Sequence, residues 1–192
     1  MKDIMIATSN NGKIIEYKKI LEPLGFKVHS LAEIDPLEIE ENGTTFAENA
    51  LIKARSVKGK CDMIVIADDS GLEIDALNKE PGIHSARYLA GHDYEYKNRI
   101  ILSRMEGISD RTARFVCSIA LIDENEHVFE GIMEGKIADK PAGTNGFGYD
   151  PIFIVPQFNL TSAQLSIEEK NSVSHRGKAT RQLLDYLKEH KI

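Results

Sequence analysis

The stretch MIVIADDSGLEI, Met63 to Ile74, carries five apolar residues into two adjacent acids, Asp68 and Asp69, and then a Ser-Gly pair. The run from Met63 to Ala67 reads as a short buried strand. Asp, Ser and Gly are turn formers, so DDSG reads as the end of that strand, with the alternating LEIDAL (72–77) as the next one. A plain turn is one explanation of the acids. The other is that strand ends in α/β proteins are where ligand sites collect, and that adjacent carboxylates there hold a divalent metal or act as a base. The rest of the chain has to decide.

Upstream, IMIAT (4–8) reads as a strand and is followed by SNNGK and a helical pattern with Ile14, Tyr17, Leu21 and Leu24 on one face. Pro23 and Gly25 mark its end. KVHSL (27–31) is a further strand. Thr45 and Glu48 then have capping-box spacing before a stripe of Ala47, Ala50, Leu51, Ala54 and Val57. Downstream, residues 80–91 form a long Pro- and Gly-bounded loop, and loops of that length are often functional. A helix is expected from Asp93 to Met105, ended by Gly107. TARFVCSIALID (112–123) alternates, with Ala113, Phe115, Cys117, Ile119 and Leu121 on one face. ENE (124–126) turns the chain into a hairpin partner, HVFEGIMEGKIAD. The glycine-rich PAGTNGFGYD leads into a strand-like PIFIV (151–155), and a last helix from about Ser174 carries Ala179, Leu183 and Leu187. Strand–helix units at the start and an antiparallel meander in the middle make an α/β fold with a mixed sheet and packed helices.

Composition narrows the function classes. The 192 residues suit one domain, residues 1–192, or two lobes sharing a core. A net charge of −6 makes a poor binder of long nucleic acid, so no nucleic acid polymer is expected as partner. No apolar run reaches the ~18 residues of a membrane span, and the N-terminus lacks the form of a signal peptide. Cys61 and Cys117, the only cysteines, have neither zinc-site spacing nor a disulfide framework, and a reducing cytoplasm is the default.

Several segments carry chemistry only in combination. Thr8, Ser9, Asn10, Asn11 and Gly12 join the first strand to the first helix, where they are cap and turn formers. Helix N-terminal amides also bind phosphate, and Lys13, set unfavourably against the helix dipole, adds positive charge. The segment is no P-loop. In GTNGFGYDP (143–151), Phe147 and Tyr149 are bracketed by glycines, and such a loop can lay amides and an aromatic face against a planar base. His175 and Arg176 open the last helix and can reach an anion or a carbonyl oxygen. Lys53, Lys170, Glu40 and Glu41 read equally as surface charges. Phosphate-binding turns, acids for a metal and an aromatic for a base together describe a nucleoside triphosphate site.

ATSNNGKIIE, EENGTTFAENALIKA, IADDSGLEIDAL with PGIHSARYLAG, ARFVCSIAL, PAGTNGFGYDPIF and SIEEKNSVSHRGKA stand in one order across nearly the whole chain. In this the sequence resembles the inosine triphosphate pyrophosphatase family, which hydrolyses non-standard purine nucleoside triphosphates (ITP, dITP, XTP) to monophosphate and pyrophosphate. The bacterial and archaeal type is the closest in motif. The resemblance implies an elongated mixed sheet flanked by helices, two lobes around a central cleft, and a cytoplasmic homodimer. It implies that Thr8 to Lys13 and Lys53 bind phosphates, and that Mg²⁺ sits on Glu41, chosen over Glu40, and Asp69. Asp69 is then the proton acceptor, with Asp68 its companion, and Ser70 touches substrate. Phe147, Gly148, Tyr149 and Asp150 shape the base pocket, completed by Lys170, His175 and Arg176. Two rivals remain: a regulatory nucleotide binder without turnover, and a phosphoryl transferase, which the missing Walker and kinase motifs disfavour.

Overall fold

Three apolar runs build the parallel part of the sheet. β1 (Lys2–Ile6) pairs in parallel with β2 (Phe26–Ser30) and with β3 (Ile64–Ile74), and Ile4 lies opposite both Val28 and Ile64. Parallel neighbours need crossovers, and these are right-handed. The chain leaves β1 in one direction through α1 (Asn11–Leu21) to reach β2. It returns in the other direction through α2 (Phe46–Lys58) to reach β3. Crossovers of one hand in opposite directions put α1 and α2 on opposite faces, and make β1 the switch point where α/β sheets collect ligands.

A computed structural model of the chain describes residues 2–8, 10–34 and 39–190, with Asn11 and Gly12 described in their backbone alone. After β3 come α3 (Tyr94–Arg104), β4 (Thr112–Ile122), β5 (Glu126–Ile137), β6 (Phe153–Val155), β7 (Leu160–Thr161), α4 (Ile167–Val173) and α5 (His175–Glu189). The described strands form one sheet in the order β2-β1-β3-β4-β5-β6-β7, and β5–β6 and β6–β7 are antiparallel. The mixed α/β sheet expected from the sequence is therefore present.

The chain packs into two compact units, each assembled from separate stretches. The first is Met1–Asp69, Ser118–Glu130 and Ala179–Ile192; the second is Ser70–Cys117 and Gly131–Lys178. In the first, Ala50, Ala54 and Val57 of α2 share a core with Met5 and Ala7 beside β1 and with Val65 and Ala67 of β3. In the second, Leu72, Ile74, Ile101, Met105, Phe115, Phe153 and Leu165 form the core.

Several local expectations need correction. DDSG does not end a strand: β3 runs unbroken through all four residues, and the strands expected at 63–67 and 72–77 merge into one that stops at Ile74, with Asp75–Leu77 a 3₁₀ turn. Turn propensity loses because Asp68 and Asp69 are buried and each is paired with a lysine, so a tertiary contact holds them extended. Leu24 is not on the buried face of α1, which ends at Leu21; it is exposed in a following 3₁₀ turn closed by Gly25 at φ 89°. Asp150–Ile152 is a 3₁₀ turn, so only Phe153–Val155 of PIFIV is strand. Thr45 caps α2 by accepting from Glu48 N–H, but the Glu48 carboxylate bonds Thr44 instead of closing the box on Thr45.

Candidate active site

Strand geometry settles how two acids can stand side by side. Successive side chains of β3 point to opposite faces, so Asp68 and Asp69 diverge. Asp69 shares its face with Val65 and Ala67, the face covered by α2, and there Lys53 Nζ lies 3.2 Å from Asp69 Oδ1. Asp68 points to the other face, and Lys13, in the first turns of α1, puts Nζ 2.7 Å from Asp68 Oδ2. Each like charge thus has its own cation, supplied by the helix on its own side. The sheet separates the acids, and no metal is needed to offset their repulsion.

Around Asp69 the first unit gathers further polar groups. Lys53 also faces Glu41, with 3.6 Å between Nζ and Oε1, while Glu40 is exposed; of the two acids it is Glu41 that joins the cluster. Asn49, one helical turn before Lys53, is fully buried and accepts Gly43 N–H at 2.9 Å, which fixes the loop after Glu41. A side chain on Gly43 would press on Asn49 and Glu48 at 2.8 Å. Burial pushes the Asp69 carboxyl above the usual range, and the Lys53 ammonium pulls it back down. A carboxyl with a raised pKa is better matched to accepting a proton near neutrality. Asp69 Oδ2 is buried with no hydrogen-bond partner among the described residues.

That open oxygen tests whether a divalent cation fits. Glu41 and Asp69 converge on one cation already, and a hard ion such as Mg²⁺ uses one or two carboxylates and takes other oxygens from phosphate and water. The donor set fits. Among the described residues no three His, Cys, Asp or Glu side chains gather as a ligating group, so the remaining oxygens of the shell would come from water or a bound ligand.

At the carboxyl end of β1, Thr8 Oγ1 accepts Asn10 N–H at 3.2 Å, and Asn10 Oδ1 caps Lys13 N–H at 3.2 Å. The cap reading of this turn is therefore realised in part: two of its amides are held by side chains. Ser9 lies outside the described residues, and Asn11 and Gly12 are described in their backbone alone.

The second unit holds the other candidates. Phe147 is 62% exposed between Gly146 (φ 76°) and Gly148 (φ 70°). Its N–H donates to Asp150 Oδ2 at 2.9 Å, and Lys170 Nζ lies 2.5 Å from the same oxygen and 5.5 Å from the Phe147 ring centroid. A Cβ on Gly146 would fall on the Asp150 carboxylate, which is why only glycine serves there. Tyr149 is placed differently from Phe147. It belongs to the core, stands edge-on to Tyr94, and donates its hydroxyl to Ser85 O at 2.7 Å. Its burial raises the phenol's pKa, so it stays a neutral donor. Tyr149 positions the loop, and the exposed ring is that of Phe147. His175 is buried and stacks on Phe115 at 5.0 Å, while Arg176 Nη2 donates to Ser70 Oγ at 3.3 Å. Ser70 follows Asp69 directly in β3. Asn49, Ser85 and Asn98 were missed by sequence reasoning. The available signal was an amide inside each of two helices, at positions where a solvated polar residue has no reason to be buried.

A sequence model of the Ham1 family matches residues 4–186. The chain belongs to the Ham1 family. A Ham1 relative from Bacillus subtilis, a dITP/XTP pyrophosphatase, is 50% identical over 190 residues, covering 95% of this chain and 96% of that one. A dITP/XTP pyrophosphatase from Listeria innocua is 47% identical over 189 residues, covering 95% and 93%. Among solved Ham1 structures, the Staphylococcus aureus protein superposes with a TM-score of 0.91 at 44% identity, over 98% of this chain and 100% of that one. The Coxiella burnetii protein gives 0.93 at 42% identity, over 98% and 100%. The motif resemblance read from the sequence is borne out by this membership.

Proposed function

We propose that the chain is a nucleoside triphosphate pyrophosphatase that hydrolyses non-standard purine nucleotides, ITP, dITP and XTP, to the monophosphate and pyrophosphate. The observation that carries the reading is Asp69: a buried carboxylate with one oxygen on Lys53 and the other without a close partner among the described residues, near the Asn49 amide, and with Glu41 on the same ammonium. The names of the B. subtilis and L. innocua relatives support the substrate class.

In this reading Lys13 and Lys53 contact phosphate oxygens while keeping Asp68 and Asp69 as partners, since an ammonium has three donors. Asp69 accepts the proton of the water that attacks the α-phosphorus; the α–β bridging bond breaks and pyrophosphate leaves. The lysines stabilise the charge that develops on it. Glu41 and Asp69 would hold Mg²⁺, which when bound would supply neutralisation of the phosphate oxygens. Phe147 stacks on the base, and Asp150 with Lys170 holds its loop. Arg176, oriented by Ser70, donates to a 6-oxygen and has nothing to offer a 6-amino group. The enzyme would act on free nucleotides in the cytoplasm as a homodimer; among the described residues no helix is long and apolar enough to cross a membrane.

The test is a panel of purine triphosphates with Mg²⁺, with monophosphate, pyrophosphate and orthophosphate all quantified. Equimolar monophosphate and pyrophosphate from dITP and XTP is expected. Orthophosphate release, transfer to an acceptor, or tight binding with no turnover would each refute the reading.

A further inference from the structure

The glycine loop that carries Phe147 is held by a residue outside every segment to which the sequence analysis gave chemistry. Asn98 lies in α3, is 6% exposed, and donates Nδ2–H to Gly148 O at 3.0 Å. The amide orientation is not free: the group facing a carbonyl must be the NH₂. Asn98 Oδ1 is buried with no hydrogen-bond partner among the described residues, so the side chain accepts an unmet acceptor in order to place this one donor. A buried amide left half satisfied is uncommon enough to call for a reason. The neighbouring helix residues serve the same region. Lys97 Nζ donates to Ala86 O at 3.2 Å, and the Tyr94 ring packs edge-on against Tyr149. Ser85, whose carbonyl receives Tyr149, accepts Leu72 N–H at 2.8 Å on its hydroxyl. The start of α3 and the 82–88 segment therefore pin the far end of the loop, as Asp150 and Lys170 pin the near end.

The consequence is chemical as well as geometric. Guanine differs from hypoxanthine by a 2-amino group, which is a hydrogen-bond donor. A loop carbonyl with open lone pairs would welcome that group. The Gly148 carbonyl is instead turned towards α3, where Asn98 takes up one of its two lone pairs. Resting on the pyrophosphatase reading above, we propose that Asn98 is a specificity-determining positioning residue: it withdraws the Gly148 carbonyl from the base site and so excludes 2-amino purines.

The experiment compares wild type with Asn98→Asp, which is isosteric but meets the carbonyl with an oxygen, and with Asn98→Ala, which frees it. kcat and KM are measured for dITP and dGTP, together with inhibition by inorganic triphosphate, a probe without a base. Expected is a rise in KM for dITP of about tenfold with kcat little changed, the equivalent of one lost hydrogen bond. The dITP-to-dGTP ratio of kcat/KM should narrow by about tenfold, and inhibition by triphosphate should stay within about twofold. Partial misfolding lowers both kcat/KM values equally and leaves their ratio untouched, so the ratio reads specificity alone. An unchanged ratio in whichever variants fold overturns the proposal, as does a parallel loss of triphosphate inhibition. Wild-type protein that hydrolyses none of the purine triphosphates would instead sink the underlying reading, and this inference with it.

Discussion

Asp68 and Asp69 are chemically identical and one residue apart, yet the strand gives them separate tasks. Asp69 faces α2, and its buried Oδ2 has no close partner among the described residues, which leaves it a lone pair for a proton. Replacing it with Asn keeps shape and removes proton acceptance. Asp69→Asn should lower kcat by roughly 10²–10⁴-fold with the fold intact, measured by steady-state kinetics beside thermal melting. Near-wild-type kcat would remove Asp69 from the chemistry. Asp68 has its side chain wholly buried against Lys13, whose own is 19% exposed, so that pair is structural as well as electrostatic. Truncating one partner of a buried pair costs about 3–5 kcal/mol, much of it from the charge left behind. Lys13→Met should therefore lower stability by about that amount as well as weaken substrate binding. Lys13→Met with Asp68→Asn should restore most of the stability and none of the affinity. Denaturant melts and kinetics on the four proteins of the cycle decide it, and additive stability losses would mean that the two side chains do not act as a pair.

Elements translate those side chains into position, and they differ in how openly the sequence declares them. α2 and α3 were legible because their caps are local: Thr45 and Asp93 each accept an N–H three residues on, as the spacing suggests. The S-x-x-E box at Ser166–Glu169 was equally local and starts α4, although only seven residues follow, too few for an apolar stripe to show. β3 was not legible as one strand, because what keeps DDSG extended is two lysines from distant helices, and no window of neighbouring residues contains them. The same holds for the site. Asp69, Lys53 and Glu41 could be named from motif resemblance, whereas the division of the acids between two faces needed the strand's continuity. In the loop 143–150, Gly146 is the element-scale lever. It has φ 76°, and a methyl there would strike the Asp150 carboxylate that holds both Phe147 N–H and Lys170. Gly146→Ala should lower kcat/KM for dITP at least about tenfold, since a left-handed non-glycine alone costs roughly 1–2 kcal/mol before the clash is counted. Its melting temperature should fall by no more than the several degrees that such strain costs a chain of this size. A large fall in melting temperature with unchanged kcat/KM would show that the loop serves the fold rather than the base.

At the scale of the whole molecule, pH also acts through groups on the β1–β2 edge of the sheet. His29 of β2 bridges two carboxylates: Nε2 lies 2.7 Å from Asp3 of β1, and Nδ1 lies 2.6 Å from Glu33 in the turn after β2. The hydrogen bonds to Asp3 and then Glu33 raise the imidazole's pKa above 6.5, and the imidazole lowers both carboxyls from 3.8 and 4.5. The signs follow from linkage. A raised histidine contributes stability that is complete below its unfolded pKa of 6.5 and is lost as pH rises through the higher folded value. Lowered carboxyls contribute stability that is complete above 3.8 and 4.5 and is lost as pH falls through their lower folded values. The three groups therefore strengthen the β1–β2 edge most between pH 4.5 and 6.5. Other groups contribute to the pH dependence, Asp69 with the sign opposite to the lowered carboxyls, because burial raises it. The difference between wild type and His29→Asn cancels them. That difference in melting temperature should be greatest inside the window, shrink towards pH 8 as the imidazole loses its proton, and shrink again below pH 4 as the carboxyls gain theirs. Added salt should reduce it, since the groups lie near the surface. A difference that stayed level from pH 4 to 8 would mean that the ring contributes packing alone and that its charge holds nothing together.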